Sequence, residues 1–398
     1  MTLRWFYSKN VRRATEMRNH VRKLLQAQRD ILSPEAVEAV EESLARTTRA
    51  IRADDGSPTL QAQLDDLEKS ANQRLKPYPN PEWRENVEVF LVAIAVAMAI
   101  RTFFVQPFKI PTGSMQPTLF GITYENLLSQ PRVEIPGFFS RMADACVHGV
   151  FYHTLVAKEN GEVVEVLPKS TTLGFINIQR ILLRYNGPGG ERTETHSIWF
   201  APDERFEANA GIHPGQTFSK GDYLVKLKEV SGDHLFVDRL TYNFRGPNRG
   251  EIVVFQTRGI RPLPQDQFYI KRLVGLGGET LQIGADRHLV IDGRRLDAAT
   301  PHFENVYSFT GDPKSSVYSG HVHYGRLAPM AGDAPLYTTN ETFQIRPHHY
   351  AVMGDNTMNS YDSRGWGDFP EQNVIGKSFF VYWPISNHGT SRFGWSVR

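Results

Sequence analysis

"VFLVAIAVAMAIRTFFVQPFKIPTGSMQPTL", Val89 to Leu119, contains the change of pattern on which the reading of the chain turns. Its first twelve residues, Val89 to Ile100, are apolar without interruption, and the part from Gln106 onward is broken by prolines and a glycine. Twelve residues fall short of the roughly 20 that a spanning helix needs, so on hydropathy alone a buried helix competes with a membrane span. The flanks favour the span: a helix over 87–106 is long enough if the Arg101 side chain reaches an interface, and the segment lacks the polar face of a soluble amphipathic helix. Charge does not orient it. Arg74, Lys76 and Arg84 before it are diluted by Glu82, Glu85 and Glu88, while Arg101 and Lys109 lie on its far side.

Upstream, residues 1–76 read as helix. Val37, Val40, Leu44, Thr47 and Ile51 form one stripe at helical spacing, and Leu60, Leu64, Leu67, Ala71 and Leu75 form a second. Ser33-Pro34 and Ser57-Pro58 suit a serine cap followed by proline in the first turn. The expectation is a helical hairpin over 1–76, turned by "ADDGSP", and then a proline-rich linker over 77–86. The basic start lacks the apolar stretch of a cleavable secretion signal and is expected to be retained.

Downstream the period becomes two. "FYHTLVAK" and "EVVEVL" flank Asn160-Gly161, and "HLVI" and "RRL" flank Asp292-Gly293, as in hairpins. "HLFVDRL", "GEIVVF" and "FYIKRLVGL" are further strands, so 107–398 is expected to be mainly antiparallel β. Residues 121–230 and a second β subdomain at about 284–350 read as β-rich additions to it.

Composition excludes several classes of function. With 398 residues, 45 basic against 43 acidic, the charge balance calls for no nucleic acid. A single cysteine, Cys146, rules out an intrachain disulfide. His321 and His323 on one strand face, and His348-His349, lack carboxylates at ligand spacing, so no metal and no other cofactor is expected.

Three clusters carry chemistry. Ser114 is braced by Pro111, Gly113 and Pro117, which can hold its hydroxyl at a fixed angle, although an isolated turn of this kind is usually structural. In "QFYIKRLVGLGGE" (267–279), Tyr269, Lys271 and Leu273 share a strand face. Burial there would favour a neutral amine able to act as a base; the alternative is an edge lysine with its tip in water. In "GDNTMNSYDSRGWG" (354–367), Asp362 and Arg364 are placed to pair across a tight turn, and Ser360 to hydrogen-bond an amine.

In this order after an apolar segment, "GSMQPTL", "NRGEIVVF", "FYIKRLVGLGGE" and "GDNTMNSYDSRGWG" resemble bacterial type I signal peptidases, membrane-bound proteases with a Ser-Lys dyad. The resemblance covers about 87–120, 231–283 and 350–384, including "SGDHLFVDRLTYNF". It implies a signal-peptidase-like antiparallel β catalytic domain, with 121–230 a large insertion, one transmembrane helix and a helical N-terminal extension on the cytoplasmic side.

It also implies roles. Ser114 would be the nucleophile, Lys271 the general base, and the Thr112 hydroxyl with the Ser114 N–H the oxyanion hole. Ser360 would orient the lysine, and Asp355 with Arg272 and Asp362 with Arg364 would brace the site. Phe108, Ile110, Met115, Leu119, Tyr269 and Ile270 would line pockets for small side chains. The implied partners are signal peptides of exported preproteins, the lipid bilayer of a bacterial inner membrane and, by proximity, the secretion translocon. Two departures stand out: Gly277-Gly278-Glu279 replaces Pro-Gly-Asp, and Thr357-Met358 replaces Arg-Asp after Gly-Asp-Asn. Two other readings are a self-cleaving Ser-Lys protease, disfavoured by the span and by the lack of a DNA-binding helix pair, and a membrane-anchored binding module. The second would not need four chemical groups kept in register.

Overall fold

The computed structural model describes residues 8–53, 57–76, 81–130, 132–172, 176–187, 190–201, 206–308, 318–330, 333–339 and 341–395. The chain divides into two units, residues 1–95 and 96–398.

In the first unit three helices pack together: α1 (Lys9–Gln28), α2 (Pro34–Ala53) and α3 (Ser57–Arg74). The hairpin expected over 1–76 therefore gains a third helix. Val11, Ala14, Val21 and Leu25 give α1 a buried stripe, which its six Lys and Arg residues hide from a reading by overall polarity. Leu60 and Leu64 of α3 cluster with Val11 and Ala14, and Leu67 and Ala71 with Val21 and Leu25. Ser33 Oγ accepts from the Ala36 N–H at 3.3 Å and caps α2. Residues 54–56 of the expected turn, and 77–80 of the expected linker, lie outside the described residues.

A fourth helix, α4 (Pro81–Phe103), corrects the neighbouring boundaries. Residues 81–86 were expected in the linker and are helical, because Pro81 sits at the start, where its missing N–H costs nothing. The helix stops at Phe103, short of the expected 106, because Val105–Lys109 is taken into the main β-sheet. Among the described residues, Glu85–Phe103 is the one stretch of helix long and apolar enough to cross a membrane, with a mean hydropathy of 1.8 and none of it buried.

The second unit is built on a curled antiparallel sheet. Its strands are β1 (Val105–Lys109), β2 (His234–Asp238), β3 (Ile252–Gln256), β4 (Phe268–Gly275), β5 (His349–Met353), β6 (Phe369–Pro370), β7 (Val374–Trp383) and β8 (Gly394–Trp395). They run in the order β1-β2-β7-β3-β4-β5-β6, with β8 beside β7. "IVVF" in β3 is continuously apolar because both faces are covered: Ile252 and Val254 join Ile110, Met115, Leu119 and Leu235, while Val253 and Phe255 join Leu273, Val352 and Phe369. The curl brings Phe108 of β1 edge-on to Phe268 of β4, with ring centroids 5.4 Å apart.

Among the described residues four further sheets carry the rest, the smallest being the two-stranded pair Ser386–Asn387 and Thr390–Ser391. Thr280–Ile283, Leu289–Ile291, Arg294–Arg295 and Thr342–Gln344 form one, and Asp292-Gly293 turns a hairpin in it with both residues at positive φ. Thr123–Asn126, Val150–Val156 and Tyr223–Val230 form a second, and five strands between 161 and 218 form a third. The hairpin expected at Asn160-Gly161 does not form: Val150–Val156 pairs with Tyr223–Val230, and Gly161–Val166 with Ile176–Gly187. Gly161 serves close approach, since a Cβ there would strike the Arg184 carbonyl. His321 and His323, expected on one strand face, lie in a segment without strand structure.

Candidate active site

Ser114 lies in a short 3₁₀ turn, Gly113–Met115, that follows β1. Its backbone N–H is in the first turn, where amides have no acceptor within the helix. Thr112, at the N-cap and exposed, makes no capping bond with its side chain. The turn is gripped from behind: the Asn356 N–H donates to the Ser114 carbonyl at 3.1 Å, and Asn356 Nδ2 to the Gly113 carbonyl at 3.0 Å.

Lys271 comes from the middle of β4. Its Nζ donates to Ser114 Oγ at 2.7 Å and to the Ile270 carbonyl at 3.0 Å, and lies 5.6 Å from the centre of the Tyr269 ring. Residues 157 apart in sequence thus share a hydrogen bond with both side chains buried. Burial pushes the Lys271 pKa down to about 8; Asp362 and Asp355 resist the shift and Arg364 assists it.

Two ion pairs frame these groups. Arg272, on the opposite face of β4 from Lys271, binds Asp355 through Nε at 2.7 Å and Nη2 at 2.6 Å, and its Nη1 reaches the Gly250 and His302 carbonyls, each at 2.7 Å. Thr118 donates to the same Asp355 carboxylate, so the pair is tied to the nucleophile's own loop. Arg364 binds Asp362 through two 2.8 Å bonds, and both side chains are 0% exposed. The Asp362 carboxyl is held below its usual range: burial opposes this, and Arg364 and the Gly354 N–H outweigh it.

Ser360 departs from its expected place. Its hydroxyl is buried beside Gly354 and makes no hydrogen bond to Lys271, whose amine is held by Ser114 and the Ile270 carbonyl instead. The expected pocket residues divide. Phe108, Tyr269 and Ile270 are half-buried and offer surface, whereas Met115 and Leu119 are 0% exposed and Ile110 is 3% exposed, so these three belong to the core beneath. Sequence reasoning missed Gly354, Asn356 and Thr118. Gly354 is required by contact, since a Cβ would strike both the Ser114 carbonyl and Ser360 Oγ. Only the "GDN" triplet itself offered a signal for the first two.

A buried lysine hydrogen-bonded to a serine hydroxyl can act as base and nucleophile without a histidine. A family model described as signal peptidase, peptidase S26 matches residues 83–125 and 226–383, half of the chain. This chain belongs to the S26 signal peptidase family. It is 28% identical over 162 residues to a probable signal peptidase I-2 of Synechocystis sp., covering 39% of this chain and 58% of that protein. It is 31% identical over 160 residues to signal peptidase I of Leptolyngbya laminosa, covering 39% of this chain and 63% of that one. The chain thus spans about three fifths of the length of these relatives. A solved signal peptidase I from Enterococcus faecalis V583 shares 27% identity over 33% of this chain and 97% of its own, at a TM-score of 0.23. Both stretches that match the S26 model contribute to the site: Ser114 lies in the first, Lys271 and the 354–364 loop in the second.

Proposed function

We propose that the chain is a membrane-anchored endopeptidase that removes signal peptides from exported preproteins, cutting after small residues. The observation that carries the reading is the 2.7 Å hydrogen bond between buried Lys271 Nζ and Ser114 Oγ in a member of the S26 signal peptidase family. In its neutral form Lys271 accepts the Ser114 proton across that distance as Oγ attacks the scissile carbonyl. The Ser114 N–H and the Thr112 hydroxyl stabilise the oxyanion. The lysine then returns its proton to the leaving amine, which frees the mature protein, and afterwards takes one from the water that releases the acylated signal peptide.

The sheet edges suit an extended substrate. β5 pairs with β4 only at Arg272–Gly275, and β1 is an outer strand, so among the described residues Phe268–Lys271 and β1 each keep one edge without a strand partner. A peptide between them would bond through its backbone and turn alternate side chains toward Phe108, Tyr269 and Ile270. In this reading those three side chains line the subsites that take the small residues beside the cut. We assign α4 as a single pass through a bacterial cytoplasmic membrane, with the catalytic region outside, residues 1–76 inside, and residues 126–225, which the family match skips, as an insertion.

The test is to incubate the detergent-solubilised full chain with an exported precursor and to measure the masses of both products. Cleavage after a small residue is expected, with Ser114→Ala and Lys271→Ala slower by roughly a thousandfold or more. An intact precursor, or a variant that cuts as fast as the parent, defeats the proposal. Protection of 107–398 from added protease in inverted vesicles is the matching topology result.

A further inference from the structure

Thr357 stands where the family pattern has arginine. It is 0% exposed, and its Oγ1 accepts from the Val322 N–H at 2.8 Å and from Arg364 Nη1 at 3.1 Å. The same Nη1 donates to the Val322 and Thr357 carbonyls, each at 2.9 Å. A stretch far away in sequence is thereby fastened to the loop next to Asn356, the residue that grips the backbone of Ser114.

That stretch, residues 318–323, is tied down at two more places. Its middle is fixed to the neighbouring β subdomain, where the Gly320 N–H donates to the Val306 carbonyl at 3.0 Å and the His321 N–H to the Arg287 carbonyl at 2.7 Å. Its start reaches the nucleophile turn: Tyr318 Oη donates to Gln116 Oε1 at 3.2 Å. The Gln116 amide is folded over Gly113, so close that a Cβ on Gly113 would lie 3.1 Å from Gln116 Cδ. Tyr318 therefore acts on the turn through a side chain lying against its backbone.

We infer that residues 318–323 form a strut that sets the spacing between the Ser114 turn and the 354–364 loop, with Tyr318 and Thr357 as its two anchors. The inference rests on the Ser114–Lys271 reading above. Neither anchor touches the reacting atoms, so both are positioning residues. The physical reason such a strut matters is the steepness of proton transfer and attack with distance: a displacement of about 1 Å at the nucleophile costs on the order of a hundredfold in rate. Thr357 is wholly buried and its hydroxyl already accepts from the Arg364 guanidinium, so the longer arginine of the family pattern would require this packing to rearrange.

Precursor cleavage by the full chain tests this through Tyr318→Phe, Thr357→Val and the double variant, with Ser114→Ala as reference. Each single variant should lower kcat about tenfold with KM within about twofold. Because both remove one strut, the double variant should fall about as far as the worse single one, not a hundredfold. Thr357→Ser, which keeps the hydroxyl, should recover kcat to within about threefold of the parent. Tyr318→Phe keeps the ring and is read even if Thr357→Val fails to fold. Unchanged kcat in Tyr318→Phe overturns the strut, as do multiplied losses in the double variant or a loss of kcat that merely follows a lowered unfolding midpoint. If Ser114→Ala itself cuts like the parent, the underlying dyad reading fails instead.

Discussion

At the scale of single residues, the site depends on groups whose charges are compensated inside the protein. Lys271 is the exception, since burial holds its pKa down to about 8 while its nearest polar contact is a neutral hydroxyl. The consequence for activity has a definite sign. Below that value the amine is protonated and cannot accept the Ser114 proton, so initial rates of precursor cleavage should rise with pH and level off above about 8. Asp362→Asn has a different effect. It leaves the wholly buried Arg364 guanidinium without its carboxylate, so urea unfolding should reveal a loss of about 3–5 kcal/mol. Gly354→Ala would push a methyl group into the Ser114 carbonyl and the Ser360 hydroxyl. Cleavage by that variant should fall by roughly a hundredfold while its circular dichroism stays that of the parent.

Elements differ in how much of them the sequence discloses. β4 was legible because its run of aromatic and β-branched residues is typical of a strand, and the Asp292-Gly293 hairpin because its turn chemistry is local. Asn160-Gly161 misled for the same local reason: the glycine answers a contact with Arg184, a residue the sequence gives no means of pairing with it. The buried stripe of α1 was hidden by its charges, and the Ser360 contact depended on a side-chain direction that no motif specifies. The C-terminal segment, which has no periodicity, was silent and yet proves to be a brace. There the Arg392 guanidinium lies 4.7 Å from the centre of the Phe120 ring, pairs with the fully buried Asp233 and donates to the Thr118 carbonyl at 2.9 Å. Arg392→Ala should destabilise the chain by about 3 kcal/mol or more in denaturant titration, because Asp233 is left buried with its charge uncompensated.

For the molecule as a whole, every group assigned to the site comes from residues 108–364, while α1, α2 and α3 hold cores of their own. Removing residues 1–76 should therefore leave kcat on a detergent-solubilised precursor within about threefold of the full chain. A larger loss in that assay would mean that the helices take part in turnover. The proposed mechanism turns on one step within residues 108–364, transfer of the Ser114 proton to a neutral Lys271. Single-turnover cleavage of a precursor by the full chain, followed from about pH 6 to about pH 10, measures it most directly. The account predicts a rate that rises through an apparent pKa of about 8 and is lost in Lys271→Met at every pH. A Lys271→Met variant that keeps both the rate and the same rising limb would contradict it.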